Sequence, residues 1–297
     1  MKQAYKDDRI SSSVRALIDQ INGIVTEYQR QGYMLTVRQL YYQLVSRAVV
    51  ENTLQSYKRV ASNINDGRLA GLIDWSAIED RTRDIVVRNR WDNGAQVVRA
   101  SANQFHMDMW EGQAHRLFVI VEKEALAGVM GGVCRRYDVP LLAARGYPSV
   151  TVVRDLVLEH LRPAIDAGQE PIILHLGDHD PSGIDMTRDL CERIDLFLDG
   201  ESISYQLKRI ALNMPQVRET NAPPNPAKTT DSRFADYKRK FGVESWELDA
   251  LEPAYLDQLV TLNIEQHIDF GLWEERKLEI QKVKDDLSEV ADDLESR

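Results

Sequence analysis

The chain has 297 residues, 43% hydrophobic and 28% charged, with only 16 Gly and 10 Pro, which excludes collagen-like, mucin-like and wholly disordered classes. Its net charge of -10 argues against a protein that coats nucleic acid through bulk charge, while leaving local basic surface open. No apolar run approaches the roughly 18 residues of a membrane helix, and the N-terminus MKQAYKDDRISSS lacks the apolar stretch of a secretory signal. Cys134 and Cys191 stand far apart with no CxxC spacing, so a reducing, cytoplasmic setting is expected.

Residues 9–31 read as an amphipathic helix within an N-terminal segment 1–35. Ile10, Val14, Leu17, Ile18, Ile21, Ile24, Val25 and Tyr28 recur at helical spacing, and Gly32 is the expected stop. Thr36 is a good N-cap for a second helix. Residues 53–66 make a third, expected to end at Asp66-Gly67. RDIVVRNRW, from Arg83, contains a brief strand. Helices followed by a short strand predict a winged-helix domain over 36–115.

From residue 116 the pattern alternates. Leu117–Val121, Pro140–Ala144 and Pro171–Leu176 are short apolar runs separated by helical segments, and Ile203–Ala211 adds a further strand. This predicts an α/β unit over 116–212, a parallel sheet flanked by helices. Residues 213–297 form an extension: a Pro-rich loop, NAPPNPAKTTDSR at 221–233, then helix over 253–296. Ile280, Val283, Leu287, Val290 and Leu294 make a heptad seam of about two heptads. It suits packing within the chain as well as a homodimer.

Two apolar runs end in carboxylates: RLFVIVEKEA in Glu122, and PIILHLGDHDPSGIDM in Asp178 and Asp180. Ligands of open parallel sheets bind beyond the carboxyl ends of the strands, so these three acids are expected on one rim. An all-oxygen set suits Mg²⁺ or Mn²⁺, which could stabilise phosphoryl transfer. Helix caps and solvated loop acids explain the same spacing equally well. His179, between the aspartates, is expected to point away from such an ion.

In TVRQLYYQLVSR, helical spacing puts Tyr41 on the core stripe and presents Tyr42 one turn above Arg38. A guanidinium there would favour the phenolate and hold a phosphate. Two aromatic packing residues explain the same pattern. Residues 36–92 hold nine Lys/Arg against seven Asp/Glu, a net of +2, leaving -12 for the remainder. DNA contact is therefore expected here: Lys58, Arg59 and Arg68 by the third helix, Arg81 and Arg83 at the wing. Lys228 and Arg233 of the Pro-rich loop could close over DNA.

VEKEAL and GDHDPSGIDM resemble the toprim domain of topoisomerases, primases and some nucleases. ARGYPSV resembles the GKGYP stretch of the topoisomerase VI A subunit and its meiotic double-strand-break relatives, with Arg145 in place of lysine. DPSGIDM is similar to their DPYGIEI, and Arg38-Gln39-Leu40-Tyr41-Tyr42 to their R-x-x-Y-Y, whose second tyrosine attacks DNA. The resemblance covers about residues 36–212.

It implies a winged-helix domain before a toprim domain, and Mg²⁺-dependent DNA cleavage by tyrosine transesterification. The catalytic set would be Tyr42, Arg38 and Glu122. Glu122, Asp178 and Asp180 would hold the metal, with Arg145 toward DNA. A homodimer follows, the toprim domain of one subunit serving the tyrosine of the other. The family's ATPase subunit has no counterpart in this chain and would be separate. A toprim nuclease using water, and a non-catalytic metal-binding DNA-binding module, are the alternatives.

Overall fold

The computed structural model describes residues 2–6, 10–79, 90–198 and 204–296. Helix α1 (Ser12–Arg30) buries Ile18, Ile21, Ile24, Val25 and Tyr28. Gly32 then turns the chain at φ 84°, a left-handed value that glycine adopts without a Cβ penalty. Thr36 opens α2 (Val37–Ser46) with a capping box: the Gln39 N–H donates to its Oγ1 at 3.3 Å, and its own N–H donates to Gln39 Oε1 at 2.9 Å. Helix α3 (Leu54–Leu69) runs through Asp66-Gly67 instead of ending there. Gly67 lies inside the helix because a Cβ would come within 2.9 Å of Ile73 Cδ1 and 3.0 Å of Ile18 Cδ1. Close approach of Ile18 and Ile73, not a helix stop, favours glycine here. The three helices share one core with Leu35 and Ile78, and Leu35–Thr36 pairs in parallel with Ile78–Glu79. The expected wing strand, with Arg81 and Arg83, lies outside the described residues.

After α4 (Gly94–Gln104) the chain enters the sheet. Strands β1 (His115–Val121), β2 (Leu141–Ala143), β3 (Glu170–Leu176) and β4 (Gln206–Ala211) are all parallel, in the order β2–β1–β3–β4. The buried apolar runs of β1 and β3 follow from cover on both faces. Leu117, Val119, Val121, Ile172 and Leu174 enter one core, and Phe118, Ile120 and Ile173 the other. Helix α5 (Ala127–Arg136) packs into the first core. The helical run 150–166 and α6 (Pro181–Phe197) pack into the second.

The C-terminal residues are part of this unit. Helix α7 (Phe234–Phe241) is followed by α8 (Pro253–Glu265) and α9 (Phe270–Glu295), separated where Asp269 caps the last helix by accepting from the Gly271 N–H at 2.8 Å. Leu248, Leu256, Val260, Ile264 and Trp273 lie in the same core as Leu117 and Val119. The Pro-rich loop is held near its start, at Asn225 and Pro226. Asn225–Pro226 pairs antiparallel with Glu244–Ser245, and Asn52 Nδ2 donates to Asn225 Oδ1 at 2.7 Å. Helix α9 lies along α4, with Arg99 2.9 Å from Asp292 and 2.7 Å from Glu295. The heptad seam is thus partly spent within the chain: Ile280 is buried while Val290 and Leu294 stay exposed. No helix among the described residues is long and apolar enough to cross a membrane.

Candidate active site

The strand order reverses between β1 and β3, because the chain leaves β1 for β2 on one side and crosses to β3 on the other. The crevice outside the strand ends at such a reversal is where open α/β sheets bind ligands. Glu122 follows β1 there, and Gly177-Asp178 follows β3. The Glu122 N–H donates to Leu176 O at 2.8 Å, and its Oε2 accepts from the Asp178 N–H at 2.8 Å. Glycine permits this approach: a Cβ on Gly177 would lie 2.9 Å from Glu122 Oε2, and one on Gly183 2.2 Å from the Asp178 carbonyl oxygen. Asp180 caps α6, its Oδ1 accepting from the Gly183 N–H at 2.6 Å and the Ser182 hydroxyl at 3.0 Å. Arg209 of β4 fixes the loop from within, donating to the carbonyls of Asp178 at 2.7 Å, Gly183 at 2.8 Å and Gly177 at 3.0 Å.

Asp178 is already engaged. Lys123 Nζ lies 3.0 Å from its Oδ2, and the Leu248 N–H donates to its Oδ1 at 2.7 Å. Lys123 also reaches Asp249 Oδ1 at 2.9 Å and pairs with Glu247 Oε2. From α2, Arg38 meets the same two acids, Nη2 2.9 Å from Glu247 Oε2 and Nε 2.7 Å from Asp249 Oδ2. Its guanidinium lies 5.9 Å from the centre of the Tyr42 ring. A continuous polar path therefore joins Tyr42, Arg38, the Glu247/Asp249 pair, Lys123, Asp178 and Glu122 within one chain.

Tyr42 is not presented to solvent as helical spacing predicts: Tyr41 is 4% exposed and Tyr42 is 5% exposed. Helix α2 is covered on a second side by residues 248–250, which no local pattern announces. The two phenols still differ. The Tyr41 hydroxyl is spent on Thr53 O at 3.0 Å and Glu51 O at 3.2 Å. The Tyr42 hydroxyl makes no hydrogen bond to the described residues. Both tyrosines line a cavity of about 380 Å³ with Arg38, Asn52, Tyr57, Asn225 and Glu247.

Charge and burial oppose one another across the site. Burial raises the Glu122 carboxyl, the Asp180 charge adds to this, and the Asp178 N–H works against it. Burial pushes Asp178 well above the carboxylate range, against the pull of Lys123. Burial disfavours the Lys123 and Arg38 charges too, yet the facing carboxylates raise both cations' pKa. Glu247 is held below the usual range, its burial outweighed by Lys123 and Arg38. Tyr42 is pushed up to about 12 by burial and by the Glu247 and Asp249 charges, which outweigh Arg38 and Lys123. Arg38 does pull the phenol down as expected, but burial first, and then the two carboxylates, outweigh it.

The other expected site residues scatter. Lys58 and Arg59 are exposed on α3. Arg68 turns inward instead, donating to Ile78 O at 2.5 Å and holding the turn before it. Arg145, at φ 53°, pairs with Glu124 and is largely exposed. His179 Nδ1 lies 2.7 Å from the Tyr237 hydroxyl, its ring packed on Phe241 and Trp246, and burial brings it down to about 4. Arg233 pairs with Asp185 at 2.7 Å, and Lys228 is exposed.

Sequence reasoning missed Lys123, Arg209, Glu247 and Asp249. The two charges inside the strand QLKRIA could have flagged Arg209. Nothing in the spacing links Glu247 to a lysine 124 residues earlier. Among the described residues, no group of three or more metal-ligating side chains is arranged to hold an ion. No protein-family model matches the chain, and no curated protein matches it.

Proposed function

We propose that the chain cleaves DNA by transesterification at Tyr42 in a Mg²⁺- or Mn²⁺-dependent reaction. Its N-terminal helices would act as a winged-helix domain and its sheet as a toprim domain. The observation that carries this reading is the Arg38 bridge, which ties the tyrosine helix to the sheet-rim acids through Glu247, Asp249 and Lys123. Tyr42 would release its phenol proton to water as its oxygen bonds to phosphorus, the bond from phosphorus to the 3′ oxygen of the broken strand would break, and that 3′ oxygen would take up a proton supplied by Glu122. Arg38 holds the phosphate.

The metal reading narrows to fit the geometry. Both Asp178 oxygens are engaged, whereas Glu122 and Asp180 each keep one oxygen free of hydrogen bonds to the described residues. The Asp180 charge raises Glu122, a repulsion that a cation relieves. Mg²⁺ commonly takes one or two carboxylates and keeps several waters. Glu122 and Asp180 would therefore hold the ion directly, with Asp178 held by Lys123. A bound Mg²⁺ would supply charge stabilisation to the phosphoryl group.

A second reading is a toprim nuclease that uses water, with Tyr42 structural. The burial of Tyr42 and its raised pKa favour it. Supercoiled plasmid incubated with Mg²⁺ and stopped with denaturant separates the readings. Transesterification leaves protein on the 5′ ends, and hydrolysis leaves free ends. Binding without metal-dependent cleavage would reduce the protein to a DNA-binding module. Two-strand cleavage needs two tyrosines, hence a homodimer, and any ATPase would be a separate subunit.

A further inference from the structure

Arg38 and Lys123 come from different parts of the fold and converge on one oxygen, Glu247 Oε2. They also share Asp249, Arg38 on one oxygen at 2.7 Å and Lys123 on the other at 2.9 Å. The two acids are not equivalent. The Asp249 side chain is 0% exposed, whereas that of Glu247 is 27% exposed. Asp249 is the permanent counter-ion that fixes the spacing of the two cations. Glu247 closes the arrangement from the solvent side, next to the cavity that Tyr42 lines.

We propose that Arg38 and Lys123 form a binding site for one phosphodiester group, which in the free protein is occupied by the protein's own Glu247 carboxylate. The proposal rests on the reading of Tyr42 as a DNA-cleaving residue and names what guards that site. A carboxylate and a phosphodiester each carry one negative charge and present oxygens to fork-like donors. The exchange is therefore charge for charge, and Glu247 moves toward solvent. Asp249 stays, because expelling a fully buried acid would leave two cations uncompensated. The C-terminal residues thus act as an internal competitor: DNA must displace Glu247 before its phosphate reaches the cavity beside Tyr42.

The test measures binding without chemistry. A fluorescent single-stranded oligonucleotide is titrated in EDTA with the unmodified protein, Glu247→Gln, Glu247→Ala, and Glu247→Gln combined with Lys123→Gln. Removing the competing charge should tighten binding about tenfold, or about 1.4 kcal/mol, in both single variants. The added Lys123→Gln should abolish the gain. Thermal melting with inorganic phosphate should stabilise Glu247→Gln more than the unmodified protein. Unchanged or weaker oligonucleotide binding by both folded single variants would overturn the proposal. If either fails to fold, the other decides. A binding gain in EDTA, with no covalent adduct from any variant once Mg²⁺ replaces the EDTA, would keep the phosphate site and remove the tyrosine chemistry.

Discussion

A methyl group at Gly183 would meet the Asp178 carbonyl oxygen at 2.2 Å. Backbone cannot yield as a flexible side chain does, so Gly183→Ala should lower stability by at least about 1–3 kcal/mol. Urea denaturation checks this, and a loss of only a few tenths would contradict the packing described for the acidic loop. Asp249→Asn should be worse, of order 3 kcal/mol, because it leaves Arg38 and Lys123 short of their buried counter-ion. Tyr42 gives a pH prediction. Its pKa is raised to about 12 in the folded protein, against about 10 unfolded. The stability this contributes is full below the unfolded value and lost as pH rises through the folded one. NMR of ¹³C-labelled tyrosine should show no Tyr42 titration below about pH 11. The acids at 122, 178 and 180 were legible because apolar runs end in them. Their engagement was not: the partners of Asp178 include Lys123 beside Glu122 and Leu248 from the far C-terminus.

At the scale of elements, alternation of apolar runs and helices reveals the parallel sheet, and Thr36 reveals where α2 begins. What it misses is coverage. Helix α2 reads as having one buried stripe, but residues 248–250 cover another. The segment 213–297 reads as an extension because its loop is polar and Pro-rich. In the fold, Trp246 exchanges backbone hydrogen bonds with His179 at 2.8 and 3.0 Å, and α8 and α9 complete the sheet's core. A chain ending at residue 212 would lose Leu256, Val260 and Trp273 from the core that also holds Leu117, Val119 and Ile172. Such a truncation should lose cooperative thermal unfolding. A sharp melt close to that of the full chain would show that the C-terminal helices are dispensable to the core.

In the whole molecule one arginine joins the N-terminal helices to the acidic sheet rim, where strand cleavage is proposed. The geometry is assembled in cis, since Arg38 meets Lys123 and its acids within one chain. Cutting both strands still requires two copies, so sedimentation equilibrium with DNA should give about twice the 34.0 kDa chain mass. A strict monomer would leave single-strand nicking. The most direct test compares covalent protein–DNA adducts after denaturation for the unmodified protein, Tyr41→Phe and Tyr42→Phe, with Mg²⁺ present. Each substitution removes one hydroxyl and barely changes volume. Transesterification at Tyr42 predicts adducts from the unmodified protein and from Tyr41→Phe, and none from Tyr42→Phe. Cleavage by Tyr42→Phe at the unmodified rate, with free DNA ends, would contradict it.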